Sequence, residues 1–448
     1  MTKTYQVVII GGGLTGISAA LHLQMQQCDY LLVEKSDRLG GLARTECIDG
    51  HFFDHTGHWL HLRDPYMTEF VNRHCKAADL QRVERKARVY TAGALTPYPF
   101  QANLGGLPKD VSFECLRGFV DQWAKREYYD AKAGESKQPV LKNFEEYIHY
   151  YFGEGIAKHF MIPYNKKIWG VHPREISAEW CQRFVPRPNL DEVMRGVCGY
   201  QAEQLGYNTS FCYPKHGGIE SMTQALCSDI SVDRYMTNRS VIAIDCCDKN
   251  VHLDDGTVLG YDKLINTMPM PALVHAIEQG RSPVPNDVSA SRRRLRAQPL
   301  TYINVGTTVP VNVAYHWAYF AEEKWPFYRV GVFSNAMPSM APVGGSSLYV
   351  ELCKLDAVGK TATDDEVSAA LVACGILNNI KDIKVMARRH IDPAYVVFDD
   401  DYSESVGVID AYLQANDVHS CGRYGSWIYN AMEDSLLAGR DAAKVVLE

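Results

Sequence analysis

Val7-Val8-Ile9-Ile10 is an uninterrupted apolar run, the pattern of a strand covered on both faces in a parallel sheet. Apolar residues then recur at helical spacing over 17–25, and Tyr30-Leu31-Leu32-Val33 is continuous again. Strand, helix and strand in this order predict a βαβ unit opening a doubly wound α/β domain. Over 103–204 the period turns mainly helical, through 113–123 and 144–160, which predicts an inserted helical domain. Strand-like segments return at 240–244, 251–253 and 263–265, with the turn-forming Asp254-Asp255-Gly256 among the joining residues. From 301 to about 394, alternating segments such as Tyr302-Ile303-Asn304-Val305 and Ser347-Leu348-Tyr349-Val350 predict a second, mostly antiparallel sheet. A helix over 431–446 closes the chain, and 279–290 reads as the nearest thing to a flexible linker. The expected division is therefore discontinuous: 1–100, 205–275 and 400–448 form the doubly wound domain, 101–204 the helical one and 276–399 the antiparallel one.

The 448 residues exceed what a single hydrophobic core supports, in keeping with that division. A net charge of -7 lacks the positive field that phosphate backbones require, so nucleic acid is not an expected partner. The one basic run, Arg292, Arg293, Arg294 and Arg296, reads as a solvated helix face. Thirteen scattered cysteines include no CxxC pair, and the adjacent Cys246 and Cys247 make no ordinary bridge. Reduced thiols, no signal peptide and no apolar run of ~20 residues lead us to expect a cytoplasmic protein without a membrane span. No metal site is expected.

Gly11-Gly12-Gly13-Leu14-Thr15-Gly16 is a GxGxxG between the first strand and helix, where the motif becomes informative. Gly11 suits the tight turn, Gly13 lets a pyrophosphate approach the backbone of Leu14 and Thr15, and Gly16 allows close helix packing. Glu34, at the end of the second strand and followed by Lys35, sits where a carboxylate accepts hydrogen bonds from ribose hydroxyls. These residues predict a Rossmann-like dinucleotide site and do not choose between NAD and FAD.

The choice comes from Glu34 to Thr45, where Arg38-Leu39-Gly40-Gly41-Leu42-Ala43-Arg44 resembles the double-glycine extension of the FAD-dependent amine oxidase and protoporphyrinogen oxidase superfamily. The resemblance implies FAD, with Gly41, Leu42 and the Arg44 cation beside it. Tyr261 to Pro269 looks like the superfamily's return strand, and Gly422-Arg423 precedes the closing helix. Ile242 falls among the expected cofactor contacts.

Within that superfamily, Gly57-His58, Pro97-Tyr98-Pro99-Phe100-Gln101, Phe152-Gly153-Glu154-Gly155-Ile156-Ala157, Phe160-Met161, Pro163-Tyr164-Asn165, Trp169 and Gly422-Arg423-Tyr424-Gly425-Ser426-Trp427 resemble UDP-galactopyranose mutases, especially the eukaryotic type. The resemblance implies interconversion of pyranose and furanose rings of a UDP-sugar. In that chemistry the N5 atom of reduced FAD is the nucleophile at the anomeric carbon, with NAD(P)H or a reductase supplying electrons. It also implies residue roles. Tyr98, Phe100, Gln101, Phe160, Asn165 and Trp169 take the uracil and sugar; Arg183 and Arg329 clamp the diphosphate. Asn208, Trp317, Tyr319, Tyr395 and Tyr429 surround phosphates and sugar, and Gly57 with His58 lies by the flavin. His58, Arg183 and Arg329 are the expected catalytic groups.

Singly, most of these residues have blander readings: Tyr98, Phe100, Trp169 and Trp317 as core, and Arg183 as a surface cation paired with Glu179. Three departures from the family pattern are visible, one of them the divergent run Asn430 to Asp434 after the paired tyrosine. Ala336 stands where a tyrosine usually bonds the diphosphate, and His61 replaces an apolar residue near the flavin. They leave open an FAD-dependent oxidoreductase or a redox-assisted rearrangement of a nucleotide sugar, and a silent binding protein.

Overall fold

A computed structural model describes residues 3–133, 139–178, 180–181, 185–200, 209–354 and 359–448. Val7 to Ile10 lies within a strand, Lys3–Ile10, that pairs in parallel with Tyr30–Val33 on one side and Val258–Asn266 on the other. All four apolar residues are buried because helices cover both faces of this sheet, so neither face needs polar side chains. Its strands run in the order 241–245, 250–253, 258–266, 3–10, 30–33 and 235–236, and Val418–Ser420 pairs with the return strand Val258–Asn266. On one face the helix Leu14–Met25 packs against the closing helix Met432–Leu447. Their contact is tight. A side chain on Gly439 would meet the Thr15 carbonyl oxygen at 2.2 Å, and the Ser18 hydroxyl donates to the Leu436 carbonyl at 2.6 Å.

The second sheet is mostly antiparallel, as expected, in the order 383–397, 296–307, 346–352, 327–332, 317–320, 87–91 and 94–97. Its last two strands lie within 1–100, which the sequence division leaves with the first domain; the parallel pairing of Ala87–Thr91 with Trp317–Phe320 ties them here instead. One face carries its own core under the helix Asp364–Ala373, and the other looks toward the first sheet. The helical segment consists chiefly of Lys109–Ala133, Phe144–Ile156 and Ile162–Trp169, the last two joined by a π turn over Ala157–Met161. Part of the expected linker is a helix, Asn286–Arg294, pinned by buried Val288 and Ser291. The basic run is therefore not wholly solvated, since Arg292 pairs with Glu278 at 3.2 Å and Arg296 with Asp399 at 3.3 Å. All thirteen cysteines are free. Among the described residues no helix is long and apolar enough to cross a membrane.

Candidate active site

A cavity of about 1270 Å³ lies where the first sheet, the helical segment and the second sheet meet. Its first wall is the glycine-rich turn. Gly11 has φ +99°, and the helix that follows has no side-chain cap at Gly13, so its first-turn N–H groups are left for a ligand. The second glycine pair clasps this turn: Gly40 N–H donates to the Gly12 carbonyl at 2.7 Å, and a side chain on Gly41 would come within 2.9 Å of the Gly13 α-carbon. A side chain on Gly16 would strike the Gly11 carbonyl oxygen at 1.9 Å. One on Gly13 would find its nearest neighbour at 3.9 Å, so the room beside it is held open for something other than protein.

Glu34 is buried, and its two oxygens accept from Gly12 N–H at 2.6 Å and Ser36 N–H at 2.8 Å. These bonds fix the carboxylate at the cavity wall with lone pairs to spare for hydroxyls. Leu14, Thr15, Lys35, Gly41 and Leu42 line the same wall. Gly422 backs it, its α-carbon pressed on the Thr15 side chain. A dinucleotide fits this cradle. Two expected contacts are placed elsewhere. Arg44 turns back onto the carbonyls of Leu39 and Arg38 and stands off the wall, with burial lowering its pKa. Ile242 is 53% exposed, while Arg239, Ser240 and Val241 line the cavity.

The opposite wall is the second sheet, and strand register explains its chemistry. Arg329 lies opposite both Tyr319 and Glu351, and Glu351 lies opposite Tyr302. One pleat along, Gly331 lies opposite both Trp317 and Tyr349, and Tyr349 opposite Asn304. Two cross-strand rows therefore face the cavity, since side chains two residues apart share a face. Arg329 donates through Nε and Nη2 to Glu351 at 2.9 and 2.7 Å, and through Nη2 to the Tyr395 hydroxyl at 2.9 Å. Burial works against the Arg329 charge, and the Glu351 carboxylate overrides it, holding the pKa well above the ordinary value. The Trp317 indole N–H donates to the Tyr319 hydroxyl at 2.9 Å.

The helical segment supplies the third wall. Phe160, on the π turn, and Asn165 and Trp169, on the next helix, line the cavity. Asn165 spends its amide locally, donating to the Met161 carbonyl at 2.7 Å and accepting from the Trp169 indole at 3.2 Å. Trp169 meets Tyr395 edge-on at 5.8 Å, and Tyr395 stacks on Tyr429 at 6.3 Å with the Arg423 guanidinium 4.8 Å from the Tyr429 ring. On the same helix Lys167 sends its ammonium to the carbonyls of Phe320, Glu322, Trp325 and Phe327 at 2.5 to 3.3 Å, binding the helix to the second sheet. Tyr98 packs on Tyr319 at 5.3 Å. The Gln101 amide donates to the Pro186 carbonyl at 2.6 Å, and its buried Oε1 has no partner among the described residues. Phe100 belongs to the core behind this wall, its ring 5.0 Å from that of Phe160.

Between the walls runs the loop 55–61. The His58 Nδ1 has no partner among the described residues, and burial, reinforced by His55, lowers the His58 pKa to about 4. His55 pairs through Nδ1 with the Tyr302 hydroxyl at 2.6 Å. His61 lines the cavity; its Nδ1 lies 2.8 Å from the Ser210 carbonyl, which can only accept, so Nδ1 carries the proton. Burial lowers its pKa to about 4 as well. The loop is anchored from behind by Asp54, fully buried, which accepts from Thr45 at 2.6 Å, Tyr213 at 2.5 Å and Ile219 N–H at 3.2 Å. Burial raises the Asp54 pKa to about 7 against those hydrogen bonds.

Arg183 and Asn208 lie outside the described residues. Ala336, expected beside the diphosphate, is buried off the cavity wall. Three residues went unread in the sequence: Glu351 behind Arg329, Tyr349 on the wall, and Arg85, a buried cation on the wall 5.1 Å from the Tyr98 ring. A charged residue between apolar neighbours in the strand 346–352 was the available signal for Glu351.

The uncapped glycine turn, the buried Glu34 and the second glycine pair form a dinucleotide cradle, and the family match makes the class a flavoprotein. The family model for flavin containing amine oxidoreductases matches residues 14–374, and the chain belongs to that family. It is 22% identical over 304 residues to a probable flavin-containing monoamine oxidase A of Dictyostelium discoideum, covering 65% of this chain and 63% of that relative. The chain thus spans less than two thirds of that relative's length. It is 24% identical over 194 residues to a dTDP-fucopyranose mutase of Escherichia coli, covering 42% of this chain and 48% of that one. Among solved structures, a reduced UDP-galactopyranose mutase is 27% identical with a TM-score of 0.89, covering 99% of this chain and 95% of that chain.

Proposed function

We propose that this protein is a flavin-dependent mutase that interconverts the pyranose and furanose forms of a nucleotide sugar, a UDP-sugar foremost. The observation that carries the reading is the Arg329 guanidinium fixed on the cavity wall by a buried carboxylate, opposite a dinucleotide cradle. Among the described residues Arg329 commits Nε and Nη2 to protein, and its Nη1 is free for a phosphate oxygen. A guanidinium already oriented by a buried carboxylate stabilises a departing diphosphate without reorganising. Gln101 offers an acceptor to a base edge, and Tyr98, Phe160 and Trp169 offer ring faces. Neutral His58, whose Nδ1 has no side-chain partner among the described residues, can share a hydrogen bond with a sugar hydroxyl while staying uncharged.

When bound and reduced, FAD supplies a nucleophilic N5 for the anomeric carbon. NAD(P)H or a reductase would provide the electrons. Incubation of dithionite-reduced protein with a UDP-furanose, followed by chromatography, is expected to yield the pyranose. No conversion of any of several UDP-hexoses ends this reading. One observation favours a second: His61 places an imidazole with an unprotonated Nε2 at the cavity, a group suited to proton removal in a net oxidation. Bleaching of oxidised flavin by the nucleotide sugar under anaerobic conditions would select it.

A further inference from the structure

Tyr349 is seated by two glycines from different parts of the chain. A side chain on Gly331, its neighbour across the sheet, would meet the Tyr349 ring at 2.1 Å, and one on Gly57 would meet its hydroxyl at 2.5 Å. Neither glycine has a positive φ, so nothing in their backbones calls for glycine. What excludes a side chain at both is the same phenol. Phe333 closes the remaining side at 4.9 Å. The ring is thus fixed across the sheet, with its hydroxyl carried to the loop that bears His58.

The surroundings decide what that hydroxyl does. Tyr349 lines the cavity, and it lies in the row beside the one that holds Arg329. The Trp59 indole nitrogen would lie 2.9 Å from a side chain added at Gly57, beside the Tyr349 hydroxyl; burial raises the pKa of that phenol, and the indole N–H, interacting with it, works to lower it. An indole N–H only donates, so beside it the phenol oxygen is the acceptor and the phenol proton is left to be given elsewhere.

We infer that Tyr349 is a ligand-facing specificity residue, whose hydroxyl donates to an oxygen of the sugar-proximal phosphate of a nucleoside diphosphate gripped by Arg329. This rests on the nucleotide-sugar reading above. It adds a donor that the sequence pattern does not mark, on the strand next to the arginine, and explains why Gly57 and Gly331 are both bare.

The test is equilibrium binding of UDP and UMP to the oxidised holoenzyme, with wild type, Tyr349→Phe and Gly331→Ala compared. Tyr349→Phe keeps the ring and is expected to weaken UDP about tenfold while leaving UMP within about twofold, the loss of one hydrogen bond to a charged group. Gly331→Ala, which displaces the ring, is expected to reproduce the split. The flavin absorption spectrum of ligand-free Tyr349→Phe should match wild type. Equal affinities for UDP in wild type and Tyr349→Phe, or equal losses for UDP and UMP, overturn the inference and leave the mutase reading standing. Wild-type protein that binds neither nucleotide overturns both.

Discussion

Arg329 and Glu351 face each other across two antiparallel strands, joined through Nε and Nη2 of the arginine and both oxygens of a carboxylate with no solvent exposure. The pair fixes the plane of the guanidinium before any ligand arrives. Glu351→Ala takes the carboxylate from a largely buried arginine and leaves it only the Tyr395 hydroxyl, and a loss of about 3 kcal/mol in urea unfolding is expected. Glu351→Gln keeps the shape and should cost less in stability. It should still weaken UDP, because the cation is no longer held to one orientation. Urea melts paired with UDP titration check both parts.

The glycine turn predicts two different failures. Gly16→Ala drives a methyl group into the Gly11 carbonyl and should give insoluble or misfolded protein. Gly13→Ala meets no protein atom closer than 3.9 Å, so the chain should fold with near wild-type circular dichroism and purify without bound flavin, read from the visible absorbance. Retention of flavin by Gly13→Ala would show that the cofactor does not occupy the room beside it.

Asp54 should leave a pH signature. Its folded pKa of about 7 lies above the unfolded one, so it favours folding below about pH 4, and that contribution is lost as the pH rises through 7. Asp54→Asn should be less stable than wild type at pH 5, and the gap should narrow by pH 8. Thermal melts of both proteins across that window test it; a gap that widens with pH contradicts it. His58 and His61 act the other way: with folded pKa values near 4, they withdraw stability as the pH falls below about 6.5.

Lys167→Met removes an ammonium shared by four carbonyls and keeps the length of the side chain. A loss of about 3 kcal/mol is expected from acceptors left dry. Because the helix also carries Trp169, quenching of tryptophan fluorescence by UDP should fall in parallel.

Much of the first domain was legible because its strands are buried on both faces and read as unbroken apolar runs; Tyr30–Val33 matches its expected bounds. The helix begins at Leu14, three residues before the periodicity does, because glycine and threonine at its start carry no apolar signal. The basic end of Asn286–Arg294 read as a helix face, but its start was placed in the linker for a related reason: a helix held by Val288 and Ser291 alone looks polar. Arg329 and much of the aromatic wall were readable from local motifs. Glu351 and Tyr349 were not, since their meaning lies in which residue stands across from them, and register between strands is not written in either strand alone. Arg44 shows the opposite error, where a motif suggested a ligand contact and the loop's own carbonyls took the cation.

The contact of Gly439 with the Thr15 carbonyl bears on how the protein is made. The helix that begins at the glycine turn, Leu14–Met25, is synthesised before the helix that braces it, Met432–Leu447, with nearly all of both sheets between them in the chain. The glycine turn therefore stays unbraced until Met432–Leu447 has been made. Flavin is expected to be held only after that point, and chains stalled before Met432 should emerge colourless.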